Sequence, residues 1–324
     1  AHQVDWWGIL FLMSFIGSLQ YVLEHGQQDD WFNDTTILVL SIVSVVGLLS
    51  FVWRELTYEH PIVNLSVLKD GNLRIGVVMC FILGFGLYGS TLIIPIYTQA
   101  ILGWTATDAG LLLIPGSITT AIMMPMIGKM IQKGVPQGYM VGVGFLIFFF
   151  FTFMMYSRMT PDTGVEHLFW PLILRGIGLG LLFVPITTLS LSTLKGRSIG
   201  EGAAFTGMMR QLGGSFGIAI ITTYITRFSQ EHRVSLLANI DPTKTNVQQR
   251  IAMLQRGFMS KGYSSNEALK KAYQILDYSV MKQSTVMAYM DVFMYLGILF
   301  LCCIPIILLI KKGKNKIDPA EAMH

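Results

Sequence analysis

Three charged side chains stand inside otherwise apolar stretches: Arg175 in 168–194, Arg210 in 199–228 and Asp291 in 285–310. A charge so placed is costly to desolvate, so it pairs, faces a polar cavity or binds an opposite charge. At 1.5 Å per residue, Arg175 and Asp291 each lie about 10 Å in from matching ends of their stretches. One expectation is a structural pair between them; the alternative is direct contact of either with a ligand or ion. Arg210 lies about 16 Å in, too deep to reach the interface easily. It is expected to face a cavity or couple to ion movement, or else to join helices. Gln99, Thr187 and Thr188 are neutral hydrogen-bonding groups that either line the same pathway or bond one helix to the next. Pro95 and Pro185 interrupt their stretches and are candidate gating kinks; Pro115, Pro125 and Pro305 do the same less suggestively. Gly207, Gly213, Gly214 and Gly217 flank Arg210, and small residues in such a series permit close helix approach.

The elements that must position these groups follow from composition. Hydrophobic residues make up 52% of the 324, and charged residues only 13%, about half the share typical of soluble domains. The charges cluster, leaving apolar runs near or above the roughly 18 to 20 residues that cross a bilayer as helix. An all-α polytopic membrane protein of about eight spans is expected, near 6–23, 35–53, 73–102, 106–131, 139–156, 168–194, 199–228 and 285–310. The span 139–156 is so uniformly apolar, with four Phe from Phe148 to Phe151, that it is expected against lipid.

The net charge of +4 comes from basic clusters at span ends, which argues for topology and against nucleic acid. Arg54, Lys69 and Arg74, then Lys129 and Lys133, then Lys195 and Arg197, then Lys311, Lys312, Lys314 and Lys316 all fall on one side. The positive-inside rule makes that side, and both chain ends, cytoplasmic. The expected organisation is a two-helix hairpin over 1–54, a cytoplasmic linker over 55–72, a six-helix bundle over 73–310 and a tail over 311–324. Within the bundle, 229–284 is expected as an external segment holding two short amphipathic helices, near 247–259 and 266–280, which form either a self-packed cap or a docking surface.

Cys80, Cys302 and Cys303 read as buried thiols, and the six His show neither zinc spacing nor a Ser/His/Asp grouping. No metal site, cofactor or enzymatic activity is expected. Glu24 and Asp108 fall at span ends, Asp108 in a first helical turn after Thr105 or Thr107. Ala1-His2-Gln3 has no initiator Met, so a longer parent chain is expected.

The stretch Ile94-Pro95-Ile96-Tyr97-Thr98-Gln99, then Leu102-Gly103-Trp104-Thr105-Ala106 and Ala109-Gly110-Leu111-Leu112-Leu113-Ile114-Pro115, resembles the signature of EmrB/QacA-type drug:proton antiporters of the major facilitator superfamily. Gly17-Ser18-Leu19-Gln20, Gly26, Asp30-Trp31-Phe32, Pro61-Ile62-Val63-Asn64-Leu65, Pro185-Ile186-Thr187-Thr188, and Arg210 with Gly213, Ser215 and Gly217 extend the likeness over the whole chain. The family's plan is six spans, an inserted hairpin and six more. The resemblance therefore implies the hairpin plus the C-terminal half, with an N-terminal six-helix half elsewhere. Gly128-Lys129-Met130-Ile131-Gln132-Lys133 matches the loop motif except that Gln132 replaces an acid.

The resemblance implies a multidrug efflux protein of the inner membrane, exchanging small amphipathic substrates for protons by alternating access. It requires no cofactor beyond the proton gradient and contributes to drug resistance. Contact with membrane lipid follows, and the long segment 229–284 resembles the branch that works with a periplasmic membrane-fusion protein. Two other readings are an exporter of one endogenous anionic metabolite, which the arginines would suit, and a non-transporting membrane scaffold.

Overall fold

The computed structural model describes residues 5–58, 65–241 and 244–309. The motif 61–65 falls almost wholly outside them, as do the lysines of the 311–324 tail. The helices are α1 (Trp6–His25), α2 (Thr35–Thr57), α3 (Gly71–Ala100), α4 (Ala106–Gln132), α5 (Gln137–Arg158), α6 (Val165–Leu191), α7 (Arg197–Asn239), α8 (Thr245–Met259) and α9 (Ser265–Cys303), with short 3-10 turns and no strand among the described residues. Their starts are chemically marked. Asp34 accepts from the N–H groups of Thr36 and Ile37, and Asp70 from that of Leu73. Asp108 lies in the first turn of α4, bonded to the N-cap Thr105. Ser264 and Glu267 form a reciprocal capping box on α9.

Seven helices, α1 to α6 and α9, are long and apolar enough to cross a membrane. The eighth expected span, in α7, does not qualify on composition, since Glu201, Arg210 and Arg227 sit among Gly, Ser and Thr. It nevertheless packs along α3 and α9 and touches α6, so its polar groups meet protein.

The segment 229–284 departs from expectation. The helix near 247–259 is α8, but the second expected short helix is the first half of α9, continuous with the last span, and α7 continues to Asn239. At 43 and 39 residues, α7 and α9 run about 65 and 58 Å, roughly twice a hydrocarbon thickness. Both therefore project beyond the bundle at the same end, with α8 packed on α9 between them. No Pro lies between Ser265 and Cys303, and the one Gly, Gly297, is well inside the last span, so nothing stops the helix at the boundary.

Helix packing is set by backbone contact. A Cβ on Gly84 of α3 would lie 1.9 Å from the Arg210 carbonyl oxygen, and one on Gly213 of α7 would lie 2.0 Å from that of Phe81. Likewise a Cβ on Gly176 of α6 would meet the Gly116 carbonyl of α4 at 2.4 Å. The α5 helix, expected against lipid, is so on one face only. Leu146, Phe150 and Phe153 are exposed, whereas Phe145, Phe148 and Phe151 are buried. Phe148 stacks on Phe300 of α9 at 4.2 Å and Phe151 meets Phe293 edge-on, because four consecutive aromatics on a helix cannot share one face.

The hairpin α1/α2 closes through Gly47, whose position lies against the Phe15 backbone, and α1 rests on α7. At its open end the Arg54 guanidinium grips the buried Asp5 carboxylate at 3.1 Å. Hydrogen bonding from Arg54 holds the Asp5 carboxyl below the usual carboxylate range, despite burial acting the other way.

Two outcomes are expected. Gly213→Val should lower thermal stability in detergent by about 3 kcal/mol or prevent folding, while Gly207→Ala, which has open space, should be neutral within about 0.5 kcal/mol. The Asp5–Arg54 contribution should be fully present above about pH 4 and fall away as acid protonates Asp5 through its lowered native pKa. In Asp5→Asn that part of the acid sensitivity of thermal unfolding should vanish.

Candidate functional site

Arg175 is buried where α6 packs on α3, and it is held by hydroxyls. Its Nε donates to Ser90 Oγ at 2.9 Å, and its Nη2 donates to Thr91 Oγ1 and to the Leu87 carbonyl at 3.4 Å. Ser90 and Thr91 in turn donate to the Gly86 and Leu87 carbonyls, both at 2.6 Å. Each hydroxyl thus spends its proton on its own helix and offers a lone pair to the arginine. Among the described residues no carboxylate forms an ion pair with Arg175.

The expected Arg175–Asp291 pair is therefore not formed. Asp291 instead meets His232 Nε2 of α7 at 2.7 Å, with both side chains partly exposed. The reason is placement: α6 packs on α3, α4 and α5, whereas α9 packs on α5 and α7. Matched depth did not bring the two helices together.

Arg210 lies partly buried on α7, with its guanidinium over the Phe183 ring of α6 at 4.5 Å. A cation over an aromatic face is stabilised without a counter-charge. The next residue, Gln211, accepts from Tyr88 of α3 at 3.0 Å. Thr187 sits one turn beyond Phe183 on α6, its hydroxyl donating to the Phe183 carbonyl. The structure thus sets Arg210 against Phe183 of α6 and the adjacent Gln211 against Tyr88 of α3, with Thr187 one turn from Phe183. Arg175 is eight residues from Phe183, about 12 Å along α6, in a separate setting.

Gln99 is exposed near the end of α3, about 16 Å from Tyr88 along the helix, and does not join this cluster. Thr188 is exposed and bonds back to Val184. The helices run on through Pro95 and Pro185, partly buried and buried respectively. Sequence reading passed over Tyr88, Ser90, Thr91 and Gln211. The adjacent Ser90 and Thr91 in mid-span were a legible signal, since hydroxyls there seek donors as well as carbonyls. His232 became a partner only because α7 extends past residue 228.

An all-helical bundle with apolar outer faces and cations held inside by hydroxyls and an aromatic ring is that of a polytopic membrane protein. A profile described as Major Facilitator Superfamily matches residues 7–218, and the chain belongs to that superfamily, whose members are secondary transporters rather than enzymes. It is 31% identical over 308 residues to the fatty acid resistance protein FarB of Neisseria gonorrhoeae, covering 95% of this chain and 59% of that protein. It is 31% identical over 254 residues to the multidrug export protein EmrB of Escherichia coli, covering 78% and 49%. With the colistin resistance protein EmrB of Acinetobacter baumannii it shares 25% over 288 residues, covering 87% and 55%. The chain spans about half the length of the curated relatives it matches.

The stability losses of Arg175→Ala and Asp291→Ala should add within about 0.5 kcal/mol, since the two do not touch. Arg175→Ala and Ser90→Ala should instead be non-additive in the same unfolding assay.

Proposed function

We propose that this chain is the hairpin and C-terminal half of a proton-coupled exporter of amphipathic compounds, which works by alternating access against an N-terminal six-helix half. The observation that supports this most is likeness to export and resistance proteins over most of the chain, joined to the Arg210 cation held over Phe183 where α7 meets α6. In this reading Arg210 and Thr187 belong to the substrate pathway and Arg210 helps couple it to protons. Thr188 and Gln99 sit farther along the same route, and Pro95 and Pro185 give α3 and α6 the freedom to bend. Arg175 locks α6 to α3, so that the two helices move together. Asp291 pairs with His232 rather than with Arg175, and the principal proton-carrying acid belongs to the other half.

By the charge rule, the ends carrying Arg54, Lys133 and Lys195 face the cytoplasm of an inner membrane, and the α8 end faces the periplasm. A periplasmic membrane-fusion protein would then dock on the unit formed by residues 229–284. A single-cysteine label at Asp29 should react from the opposite side to one at Lys133; reaction from the same side would overturn the topology.

A second reading, export of an anionic metabolite, is favoured by one observation: neither Arg175 nor Arg210 has an acidic partner among the described residues. In the assembled transporter, Arg210→Ala should abolish export while expression stays near normal. Arg210→Lys should rescue in part, because an ammonium keeps the charge but loses the planar group that stacks on Phe183. Loss restricted to anionic compounds would select the second reading, and full export by Arg210→Ala would remove Arg210 from the pathway.

A further inference from the structure

The unit at the α8 end contains a cavity apart from Arg210 and its aromatic neighbour. The end of α7, α8 and the first half of α9 enclose a space of about 330 Å³, lined chiefly by Leu237, Ile240, Val247, Ile251, Tyr273 and Leu276, with Asp277 as its one charged lining residue. The size falls at the lower end of ligand pockets, and apolar walls with few polar groups are their usual composition. Leu237 and Tyr273 stay exposed in this wall, and α8, which closes one side, has no buried residue. A ligand in the space would cover apolar surface that the chain itself leaves wet.

The polar anchor is Asp277 itself. Its Oδ1 accepts from Arg233 Nη2 of α7 at 2.6 Å, while no donor among the described residues reaches Oδ2. The ion pair fixes the carboxylate at the cavity and leaves one oxygen able to accept. That pairing decides which head group fits. An anion would meet the carboxylate of Asp277. A cation would meet a carboxylate already balanced by Arg233, in a segment, 229–284, that carries eight Lys and Arg against four Asp and Glu. An uncharged donor instead bonds to Oδ2 without bringing a further charge into an apolar space. A hydroxyl is such a donor, and its bonds to carboxylates are short and strong.

We propose that this cavity is a binding site for an uncharged single-chain amphiphile with a hydroxyl head, its alkyl chain between α7, α8 and α9 and its hydroxyl donating to Asp277 Oδ2. A volume at the bottom of the ligand-pocket range suits one alkyl chain rather than the two of a bilayer phospholipid. The site lies in the projecting unit, apart from the pathway assigned to Arg210, and does not depend on what the bundle transports.

The test uses the full chain in phosphatidylcholine nanodiscs and dodecyl photoprobes that differ only in head group: hydroxyl, methyl ether, carboxylate and trimethylammonium. The hydroxyl probe should label α8 and the facing parts of α7 and α9 saturably. The ether has no proton to donate and should bind there about tenfold more weakly, the worth of one hydrogen bond to a charged group. Both charged probes should also bind more weakly than the hydroxyl probe. Asp277→Ala should bring the hydroxyl probe down to the level of the ether and leave the ether unchanged; the Arg233–Asp277 pair is exposed enough that losing it spares the fold. Ile251→Trp, which fills the cavity from α8, should abolish labelling of this unit by all probes with helix content retained by circular dichroism. Equal binding of the hydroxyl and ether probes, stronger labelling by either charged probe, a hydroxyl preference that survives Asp277→Ala, or undiminished labelling in Ile251→Trp would each overturn the proposal. So would a second copy of the chain filling the space, read as disulfide cross-linking of Ile251→Cys beyond that of the native chain and unaffected by the hydroxyl probe.

Discussion

The contact on which most of this structure depends is the backbone approach of α3 to α7. Gly84 and Gly213 are each so near a carbonyl of the other helix that a methyl group does not fit. That approach has no hydrophobic driving force in a membrane, where lipid tails are as apolar as leucine, so dispersion between close backbones must supply it. Its consequence is positional. It fixes Gln211 against Tyr88 and brings Arg210 across to Phe183, so the polar junction follows from where glycine occurs.

The two interior arginines show two ways of keeping a cation without an acid. Arg175 is fully enclosed and uses hydroxyls whose own protons are committed to their helix. Arg210 is partly open and uses an aromatic face. The first arrangement immobilises the side chain by three directed bonds and ties α6 to α3. The second is less directional, which suits a group that changes partners as helices move. The difference in setting is what leads the proposed function to treat Arg175 as architectural and Arg210 as part of the pathway.

At the α8 end the chain reverses that economy. The α7 and α9 helices run on past the apolar zone into a basic unit with a loosely closed apolar space, where polar and ionic contacts such as Arg233–Asp277 and His232–Asp291 sit at or near solvent. These pairs are exposed enough to be screened, so the unit is less rigid in energetic terms than the bundle.

The sequence by itself determined that the chain is helical and membrane-embedded and where most spans begin, because bilayer thickness and backbone hydrogen bonding leave few alternatives to apolar runs of that length. It also marked Arg175, Arg210 and Asp291 as exceptional, and a cap at Thr105 or Thr107 was readable from local chemistry, which the structure resolves to Thr105. Only the tertiary structure decided their partners. Depth along a helix is a one-dimensional quantity that a residue count gives, whereas Arg175 meeting Ser90 and Thr91 rather than Asp291 depends on which helices adjoin and how each is rotated. The continuity of α9 through the end of the bundle was hidden for a related reason: hydropathy falls at that boundary, but helical hydrogen bonding does not.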